Sequence, residues 1–518
     1  MTIAYVSPIP HAAQSRFRRW QQRHAARNFS VVGRNRRASL SMKQGEAAGP
    51  PSPTSTPTTD QIFAKNAGRD LFFNALDEAK AISLLDAELG SLSAADDRFI
   101  AAERLKFFPT ATAADAIIRF VRRFDTSKLD SYVLEDRVAR RKAVESLARH
   151  KGVHHRSRVL ELLFSCLSDP DPYMVEVAIW ALAEVDAQDE RALQSVTSVL
   201  SADSRVAKRV AIHTLLRANH TPALPALRQF VDDNDLATAS AARAACSVLA
   251  SDEEAMQPVI QFLRSPVLNV RRAAIEDITL SRYVPALDAI CKCPNSLVLR
   301  ARTARVLLEK GLRGDTRAEQ SLDEETARLV DHLIWDNPVH LDLLGMTKDT
   351  RKARAPDRNI RQLYKNDALE AYLACRTLVE DFRGNENDHI GSQLLKSYND
   401  LGYFDYFGAY HVYKTLGWLK YAPAYSFLLE NATNLPPRFF NHQAGAITAL
   451  AELGNGDAID TLIEVGKKSD IWELKYACLI SSERLGDSGR LREAFKSDAD
   501  WLIRSRAKCG LDFSHLDG

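Results

Sequence analysis

One signature recurs at least six times along the chain: an aliphatic residue, usually an Arg or Lys close behind it, then a small residue that opens an apolar helical stripe. Successive copies stand about 29–37 residues apart, or about twice that where a degenerate copy intervenes. This period with helical apolar spacing is typical of stacked helix pairs. The sequence therefore predicts an all-α fold, an α-α superhelix of repeated helix pairs. The copies begin at Val138, Val175, Val206, Val270, Leu474 and Ile503.

Charge and composition exclude some classes of partner. The 69 Lys and Arg side chains nearly balance the 67 Asp and Glu side chains, which gives no case for a nucleic-acid partner. Because the Arg residues of the repeats stand among Asp and Glu, we expect them to lie on a mixed, solvated face. No apolar run reaches the roughly 18–20 residues of a membrane span, so no membrane segment is predicted.

The cysteines are odd in number and irregularly spaced. Only Cys291 and Cys293 stand close together, and no second pair or His cluster completes a zinc site. We therefore expect reduced, structural thiols and no metal.

The first 60 residues differ in composition from the rest of the chain. They hold eight Arg with interspersed Ser, no acidic residue precedes Glu46, and a Pro/Ser/Thr run follows at residues 50–57. Such leaders are typical of organelle transit peptides, so residues 1–60 are predicted to be a transit peptide and disordered linker. The alternative is a disordered basic tail, for which RNA is one conceivable partner.

Helical periodicity and helix breakers divide the remaining chain into four parts. Residues 61–130 are predicted to form N-terminal helices, and residues 131–312 a block of repeated helix pairs punctuated by Pro. Regular spacing is lost over residues 313–400, which we expect to be an irregular connector. It resumes over residues 401–518, which are predicted to be a C-terminal repeat block.

Three side chains of different chemistry share one predicted helix face. Tyr173, Glu176 and Trp180 are three and four residues apart, so a helix places them on the same side. A Trp, a phenol and a carboxylate could pack a flat conjugated ligand and hydrogen-bond its nitrogens. Spacing alone favours the plainer interpretation, in which Trp180 belongs to the core and Glu176 is a solvated acid stabilised by the helix dipole.

Aromatic and polar residues also cluster near the C-terminus. Residues 403–425 are rich in Tyr and Phe, which fits an aromatic wall for a ligand or a large capping core equally well. Two later helices, one repeat apart, both begin with polar or aromatic side chains. A lone His is usually structural, but this repetition favours a functional face. These residues are Arg438, Asn441 and His442, then Trp472, Glu473 and Tyr476.

Several long segments carry a resemblance to a known family. They span residues 96–105, 140–149 and 173–184, and then 414–425, 435–454 and 471–478. The first three resemble the HEAT-repeat bilin lyases of phycobiliproteins, the E/F type. The last three are similar in particular to the phycoerythrin-directed branch, which includes phycoerythrobilin lyases and lyase-isomerases. The resemblance covers roughly residues 90–510 and departs in the leader and at residues 340–400.

The resemblance implies a HEAT-like, armadillo-type solenoid and a specific chemistry. Such a lyase binds phycoerythrobilin, a free open-chain tetrapyrrole, and delivers it to a cysteine of an apo-phycoerythrin alpha or beta subunit. A thioether forms at the A-ring ethylidene carbon. No redox cofactor, ATP or metal is implied, because the bilin chromophore is the substrate and the nucleophile belongs to the partner.

The same resemblance suggests roles for the candidate residues. A carboxylate would bind the pyrrole nitrogens, with Glu176 as first choice and Glu473 as second. Guanidinium groups would bind the two propionates, and flat side chains would stack on the rings. Tyr173 or His442 could transfer protons together with Glu176. The remaining candidates for bilin binding are Arg140, Arg141, Arg438, Trp180, Trp472, Tyr476 and Asn441.

Three alternatives and a location complete the sequence-based expectations. A lyase-isomerase would also convert phycoerythrobilin to phycourobilin. A non-catalytic chaperone or phycobilisome adaptor would only bind the bilin or the antenna. A generic scaffold would bind no bilin. The leader and the resemblance together predict a plastid protein of a red-algal or cryptophyte-type host.

Overall fold

The structure is a computed structural model, which describes residues 73–92, 97–150, 154–185, 190–311, 321–343, 356–381, 387–402, 406–435, 439–511 and 516. The predicted transit peptide and linker, residues 1–60, lie outside these ranges. Residues from Phe73 onward form one compact unit. Within the described ranges the regular structure is helical and contains no strand, which confirms the all-α prediction.

The helices are short and follow one another closely along the chain. The first fourteen are α1 (Glu78–Asp86), α2 (Asp97–Arg104), α3 (Ala111–Arg122), α4 (Leu134–Arg149), α5 (Arg156–Cys166), α6 (Pro172–Glu184), α7 (Glu190–Ser198), α8 (Arg205–Arg217), α9 (Leu224–Leu227), α10 (Leu236–Leu249), α11 (Gln257–Phe262), α12 (Leu268–Ser281), α13 (Leu287–Lys292) and α14 (Leu297–Gly311).

The later helices extend almost to the end of the chain. They are α15 (Glu324–Trp335), α16 (Pro356–Leu363), α17 (Ala368–Asp381), α18 (Asn387–Ser397), α19 (Tyr406–Trp418), α20 (Tyr425–Thr433), α21 (Phe440–Leu453), α22 (Ile459–Lys468), α23 (Trp472–Arg484), α24 (Arg490–Phe495) and α25 (Trp501–Lys508).

Side-chain caps set where many of these helices begin. Asp171 accepts a hydrogen bond from the Tyr173 N–H at 3.1 Å, and Pro172 occupies the first helical position of α6. Ser204 caps α8 and Asp235 caps α10 in the same way. A short polar residue satisfies an otherwise unpaired N–H, and Pro lacks the donor that the first turn cannot use.

The helices stack in register as repeated pairs. Helices α2, α4, α6, α8, α10, α12 and α14 each pack on the next member of this row, and α3, α5, α7, α9, α11 and α13 each pack on the row helix that follows them. A second row runs through α17, α19, α21, α23 and α25. The predicted superhelix of helix pairs is therefore confirmed, and each row presents a continuous face made of side chains from successive repeats.

The structure shows several helices in the segment where the repeat spacing is lost. Helices α15 to α18 lie within residues 313–400, which the sequence predicts to be an irregular connector. Helix α15 packs on α13, α14 and α23, and one hydrophobic core extends from Ala244 to Leu516. The repeat spacing is lost in this segment, but the packing continues.

The arginines of the repeat signature do not lie on a solvated face, so that expectation is wrong. Arg140 Nη2 binds Asp169 Oδ2 at 2.5 Å, and both side chains are buried. Arg271, paired with Asp367, and Arg506, paired with Asp331, have no exposed side-chain surface. A buried guanidinium needs charge-matched acceptors, which a neighbouring repeat supplies.

The thiols are placed as the sequence predicts for structural cysteines. All seven are free, and each is buried except Cys509, which is half-buried. Burial raises the pKa of Cys166 to about 11 and that of Cys375 to about 12. Thiols with such pKa values remain protonated and weakly reactive near neutral pH.

Across the described helices, none is both long and apolar enough to cross a membrane.

Candidate functional site

The buried carboxylates divide into two groups that differ in their partners. Among the described residues, eight Asp and Glu are buried. Six are Asp, and each forms an ion pair with an Arg. These pairs are Asp136–Arg98, Asp169–Arg140, Asp171–Arg141, Asp277–Arg209, Asp331–Arg506 and Asp336–Arg300.

The other two buried acids are Glu176 and Glu473, the two carboxylates that the sequence puts forward for a ligand. Their relative exposures are 7% and 8%. Among the described residues, no ion pair or hydrogen bond from another residue reaches either carboxylate, although Glu473 accepts one from its own backbone N–H. A buried carboxylate without a donor is costly unless it takes up a proton or binds a ligand. These two positions are therefore the centres of the candidate site.

The surroundings of Glu176 favour its protonated form. Burial raises the pKa of this carboxyl to about 7, repulsion from Glu276 adds to the rise, and Arg141 opposes it. A group with a pKa near neutrality is present in both protonation states at working pH. Glu176 can therefore donate a proton to a ligand and take one back.

Two aromatic rings flank Glu176 on α6, as the spacing predicts, and each is covered by an arginine of α4. The Tyr173 side chain is exposed, and the Arg141 guanidinium lies 4.8 Å from its ring centroid. The Arg149 guanidinium lies 4.8 Å from the half-buried ring of Trp180. Cation–π contacts of this kind fix the orientation of a ring.

Arg140 and Arg141 are adjacent in sequence but have different surroundings. Arg141 Nε binds Asp171 Oδ2 at 2.5 Å, and its side chain is 12% exposed. Arg140 is buried, with Nη2 on Asp169 and Nε directed to the Val121 carbonyl oxygen. Arg141 thus belongs to the face around Glu176, and Arg140 belongs to the packing between repeats.

The structure adds residues of α8 and α12 that the sequence analysis missed. Arg209 Nη2 donates to Asp277 Oδ1 at 2.8 Å and to Glu276 Oε2 at 3.1 Å, and His213 Nε2 lies 2.7 Å from Asp277 Oδ1. Arg209 and His213 are four residues apart on one face of α8, which was the available signal. Their acidic partners lie 64–68 positions away in sequence, so no local pattern reveals the cluster.

The second candidate carboxylate lies at the start of α23. Burial raises the pKa of Glu473, and Arg302 and Arg305 oppose the rise. Nearby, Asn441 is buried, and its Oδ1 accepts no hydrogen bond in the described structure. Both line a tightly packed crevice that has no room for a water molecule and whose other walls are apolar. Those walls are Leu297, Val298, Ala301, Ile334, Phe440 and Ala444.

The remaining C-terminal candidates differ in their surroundings. Trp472 lies next to Glu473, is half-buried and has the Arg305 guanidinium 5.4 Å from its ring centroid. His442 is buried and meets Phe439 edge to face with the ring centroids 5.7 Å apart. Arg438 lies outside the described residues.

Tyr476 faces the protein interior and not the crevice. Its side chain is fully buried, and its hydroxyl donates to Asp331 Oδ1 at 2.7 Å. The ring edge contacts Trp472 with the centroids 6.3 Å apart. Its hydroxyl is thus committed to the Asp331–Arg506 pair.

The aromatic cluster at residues 403–425 forms core where the structure describes it. Tyr410, Tyr413 and Tyr421 are buried. The Tyr410 hydroxyl donates to Asp336, and the Tyr413 hydroxyl donates to Asn431 Oδ1 at 2.8 Å. Of the two interpretations, a large core fits these three rings.

Several known proteins are similar to this chain in sequence. The family model of HEAT repeats matches residues 132–216. Phycocyanin operon protein Y of Pseudanabaena tenuis is 33% identical over 437 residues, covering 84% of this chain and 98% of that protein. The bilin biosynthesis protein CpeY of a Synechococcus species is 23% identical over 390 residues, covering 72% of this chain and 88% of that protein.

One similar solved structure is the complex of CpcE and CpcF of phycocyanin lyase from a Nostoc species. The match covers 56% of this chain and 98% of the matched chain, with 19% sequence identity and a TM-score of 0.37. The family assignment comes from the sequence matches, which span most of the chain. The chain belongs to the family of HEAT-repeat phycobilin lyases of the E/F type.

Proposed function

We propose that this protein is a bilin lyase that binds phycoerythrobilin and attaches it through a thioether to a cysteine of an apo-phycoerythrin subunit. The observation that carries the proposal is Glu176, an unpaired, nearly buried carboxyl on an aromatic face in a member of this family. The similarity to CpeY, named as a bilin biosynthesis protein, supports the choice of a bilin as ligand.

The attachment needs a held pigment and a controlled proton. The partner's thiol loses its proton, its sulfur bonds to the ethylidene carbon of ring A, and a proton is returned to a ring carbon, so no oxidant or reductant is consumed. Protonating the pigment makes that carbon more electrophilic. Glu176, with a pKa of about 7, is the proposed acid.

Two groups of residues are proposed to contact the pigment. Around Glu176 they are Tyr173 and Trp180, whose rings are oriented by arginines, and Arg141, whose guanidinium is partly exposed. Around the second carboxylate they are Glu473, Asn441 and Trp472, at the apolar crevice.

Four other candidates have a weaker basis. Arg140 and Tyr476 are engaged in buried contacts with Asp169 and Asp331, so we assign them no ligand. Arg438 and His442 stay sequence-based predictions. A plastid location, and attachment without a metal, ATP or a redox cofactor, are likewise part of the proposal.

Co-expression with phycoerythrobilin synthesis and apo-phycoerythrin subunits tests the function. We expect covalent, acid-stable colour on one subunit, and the absorbance of the denatured product separates phycoerythrobilin from phycourobilin. A phycourobilin spectrum would identify the lyase-isomerase alternative. Pigment binding without covalent colour would indicate a chaperone.

Glu176→Gln is the matching variant, because it keeps the shape of the side chain and removes its exchangeable proton. We expect attachment to slow by about 100-fold or more, the usual contribution of a general acid. Glu464→Gln is the control, since Glu464 is exposed and pairs only with Lys468. Undiminished attachment by a folded Glu176→Gln variant would remove Glu176 from the mechanism.

A further inference from the structure

Glu276 and Asp277 are adjacent on α12 and bind the same guanidinium, yet their surroundings are opposite. Arg209 Nη2 lies 2.8 Å from Asp277 Oδ1 and 3.1 Å from Glu276 Oε2. The Asp277 side chain has no exposed surface, and that of Glu276 is 58% exposed. Asp277 therefore anchors Arg209, and Glu276 is the carboxylate that a ligand can reach.

Helix α10 makes this contact possible, because its side chains are small. Its sequence from Ala237 to Ala242 is Ala-Thr-Ala-Ser-Ala-Ala, so the Arg209 side chain can cross it to reach α12. On the way, Arg209 Nη1 donates to the Ala237 carbonyl oxygen at 2.5 Å. The crossing brings Glu276 to the face of α8, the helix that packs directly on α6 and its Glu176.

We propose that Glu176 and Glu276 form a carboxylate pair that binds the pyrrole nitrogens of an open-chain tetrapyrrole, with Arg209 holding Glu276 in place. This inference rests on the proposed bilin-lyase function and adds the second acid of its site. Arg209 acts as a positioning residue. Asp277 of α12 fixes its guanidinium, and His213 of α8 contacts the same Asp277 carboxylate, so both are positioning residues as well.

The two carboxyls have different roles because their surroundings differ. Neighbouring carboxylates do not ionise together readily, so one of them keeps a proton. Glu276 is exposed and held by Arg209, so its carboxylate oxygens are placed to accept N–H groups of the cationic pigment. Glu176 is buried without a donor, so it holds the proton that the pigment receives.

The charged groups that act on Glu176 come from α4 and α12. Arg141 of α4 favours its ionised form, and Glu276 of α12 favours its protonated form. On α8, the charge of Arg209 is matched by the two acids of α12. Removing Glu276 alone therefore changes the balance at Glu176 without leaving a buried charge unpaired.

A first test needs no pigment. The stabilisation that Glu176→Gln produces at pH 8 is measured in the wild-type background and in the Glu276→Gln background. We expect a smaller stabilisation in the second background, because Glu176 ionises more readily once the repulsion is gone. Equal stabilisation in both would overturn the proposal. Glu254→Gln is the control, since Glu254 is exposed and precedes α11.

A second test uses phycoerythrobilin as the probe. The protonated pigment absorbs at longer wavelength, so a pH titration of the complex reports the proton affinity of the bound pigment. We expect Glu276→Gln to lower that affinity about tenfold or more, and Glu254→Gln to leave it unchanged. If the bound pigment loses its proton at the same pH in Glu276→Gln and in wild type, the proposed carboxylate pair is overturned.

A wild-type protein that neither binds phycoerythrobilin nor colours an acceptor would overturn the proposed function itself. A wild-type protein that does both, with Glu276→Gln indistinguishable from it in the two titrations, would overturn only the carboxylate pair.

Discussion

Arg506 and Asp331 form a two-point ion pair deep in the protein, with Nε 2.8 Å from Oδ1 and Nη2 2.9 Å from Oδ2. Neither side chain has exposed surface, and the Tyr476 hydroxyl donates to the same carboxylate at 2.7 Å. The pair joins α25, near the chain end, to α15, in the segment where the repeat spacing is lost. That segment is thereby packed into the C-terminal row.

Breaking this pair is expected to destabilise the protein strongly. Arg506→Met removes both guanidinium contacts of the buried Asp331 carboxylate, a change that costs about 3–5 kcal/mol. Arg328→Met is the matched control, because Arg328 lies on α15, is 51% exposed and pairs with Glu324 one turn away. The control should change the free energy of unfolding by less than about 1 kcal/mol. Urea denaturation measures both, and equal effects would contradict a structural role for the buried pair.

The pKa of Glu176 predicts how stability depends on pH. Its folded-state pKa of about 7 is above the ordinary value of 4.5, so the wild type gains a proton on folding and loses stability as pH rises through that window. Glu176→Gln removes this loss. The variant should be more stable than wild type at pH 8, by up to about 3 kcal/mol, and the difference should vanish near pH 4.5. Thermal melts at both pH values check this, and Glu464→Gln should show no such gain.

Lys414 is expected to make stability depend on pH in the opposite direction, so that stability rises as pH increases. Its Nζ is buried and donates to the Trp335 carbonyl oxygen at 2.6 Å and to Thr448 Oγ1 at 2.7 Å, and burial lowers its pKa to about 8. The group binds its proton more weakly in the folded state, so stability should rise as pH increases from about 8 towards 10.5. The wild type should gain up to about 3 kcal/mol relative to Lys414→Met over this range. A pH-independent difference between the two proteins would contradict this charge state.

Helices α19 and α21 approach so closely at Gly417 that no larger side chain fits there. A Cβ added at this position would lie 2.7 Å from Ala449 Cα and 2.9 Å from its Cβ. Backbone atoms cannot yield easily, so Gly417→Ala should lose about 1–3 kcal/mol in spite of the better helix propensity of Ala. At Gly456 the nearest atom would be 3.8 Å away, and Gly456→Ala should change stability by less than about 0.5 kcal/mol. Equal stabilities of the two variants would contradict the close approach of these helices.

Cysteine reactivity should separate one thiol from the rest. Cys509 is half-buried, and the other six are buried. A thiol reagent at pH 8 should therefore modify Cys509 first and reach the others only on unfolding. Because the proposed nucleophile belongs to the acceptor, Cys509→Ser should attach bilin at the wild-type rate. A variant that folds but attaches no bilin would assign Cys509 a role in the reaction.

Local sequence patterns identified much of the candidate site, and particular residues show why the remainder was missed. Tyr173, Glu176 and Trp180 share a helix face because helical spacing is fixed by the backbone. The same spacing could not show that Glu176 is buried without a partner, and on spacing alone a solvated acid was favoured. Arg209 and Glu276 were missed because they are 67 positions apart and meet only across α10.

The sequence by itself determined the helical class, the stacking of pairs and the starts of many helices, because periodicity and capping act over a few residues. Only the tertiary structure decided which charges are neutralised. Asp169 meets Arg140 across 29 positions, Asp277 meets Arg209 across 68, and Asp331 meets Arg506 across 175. A carboxylate's state depends on the donors and burial that neighbouring repeats supply, and no local pattern encodes those. Glu176 and Glu473 differ from the six paired Asp residues for that reason.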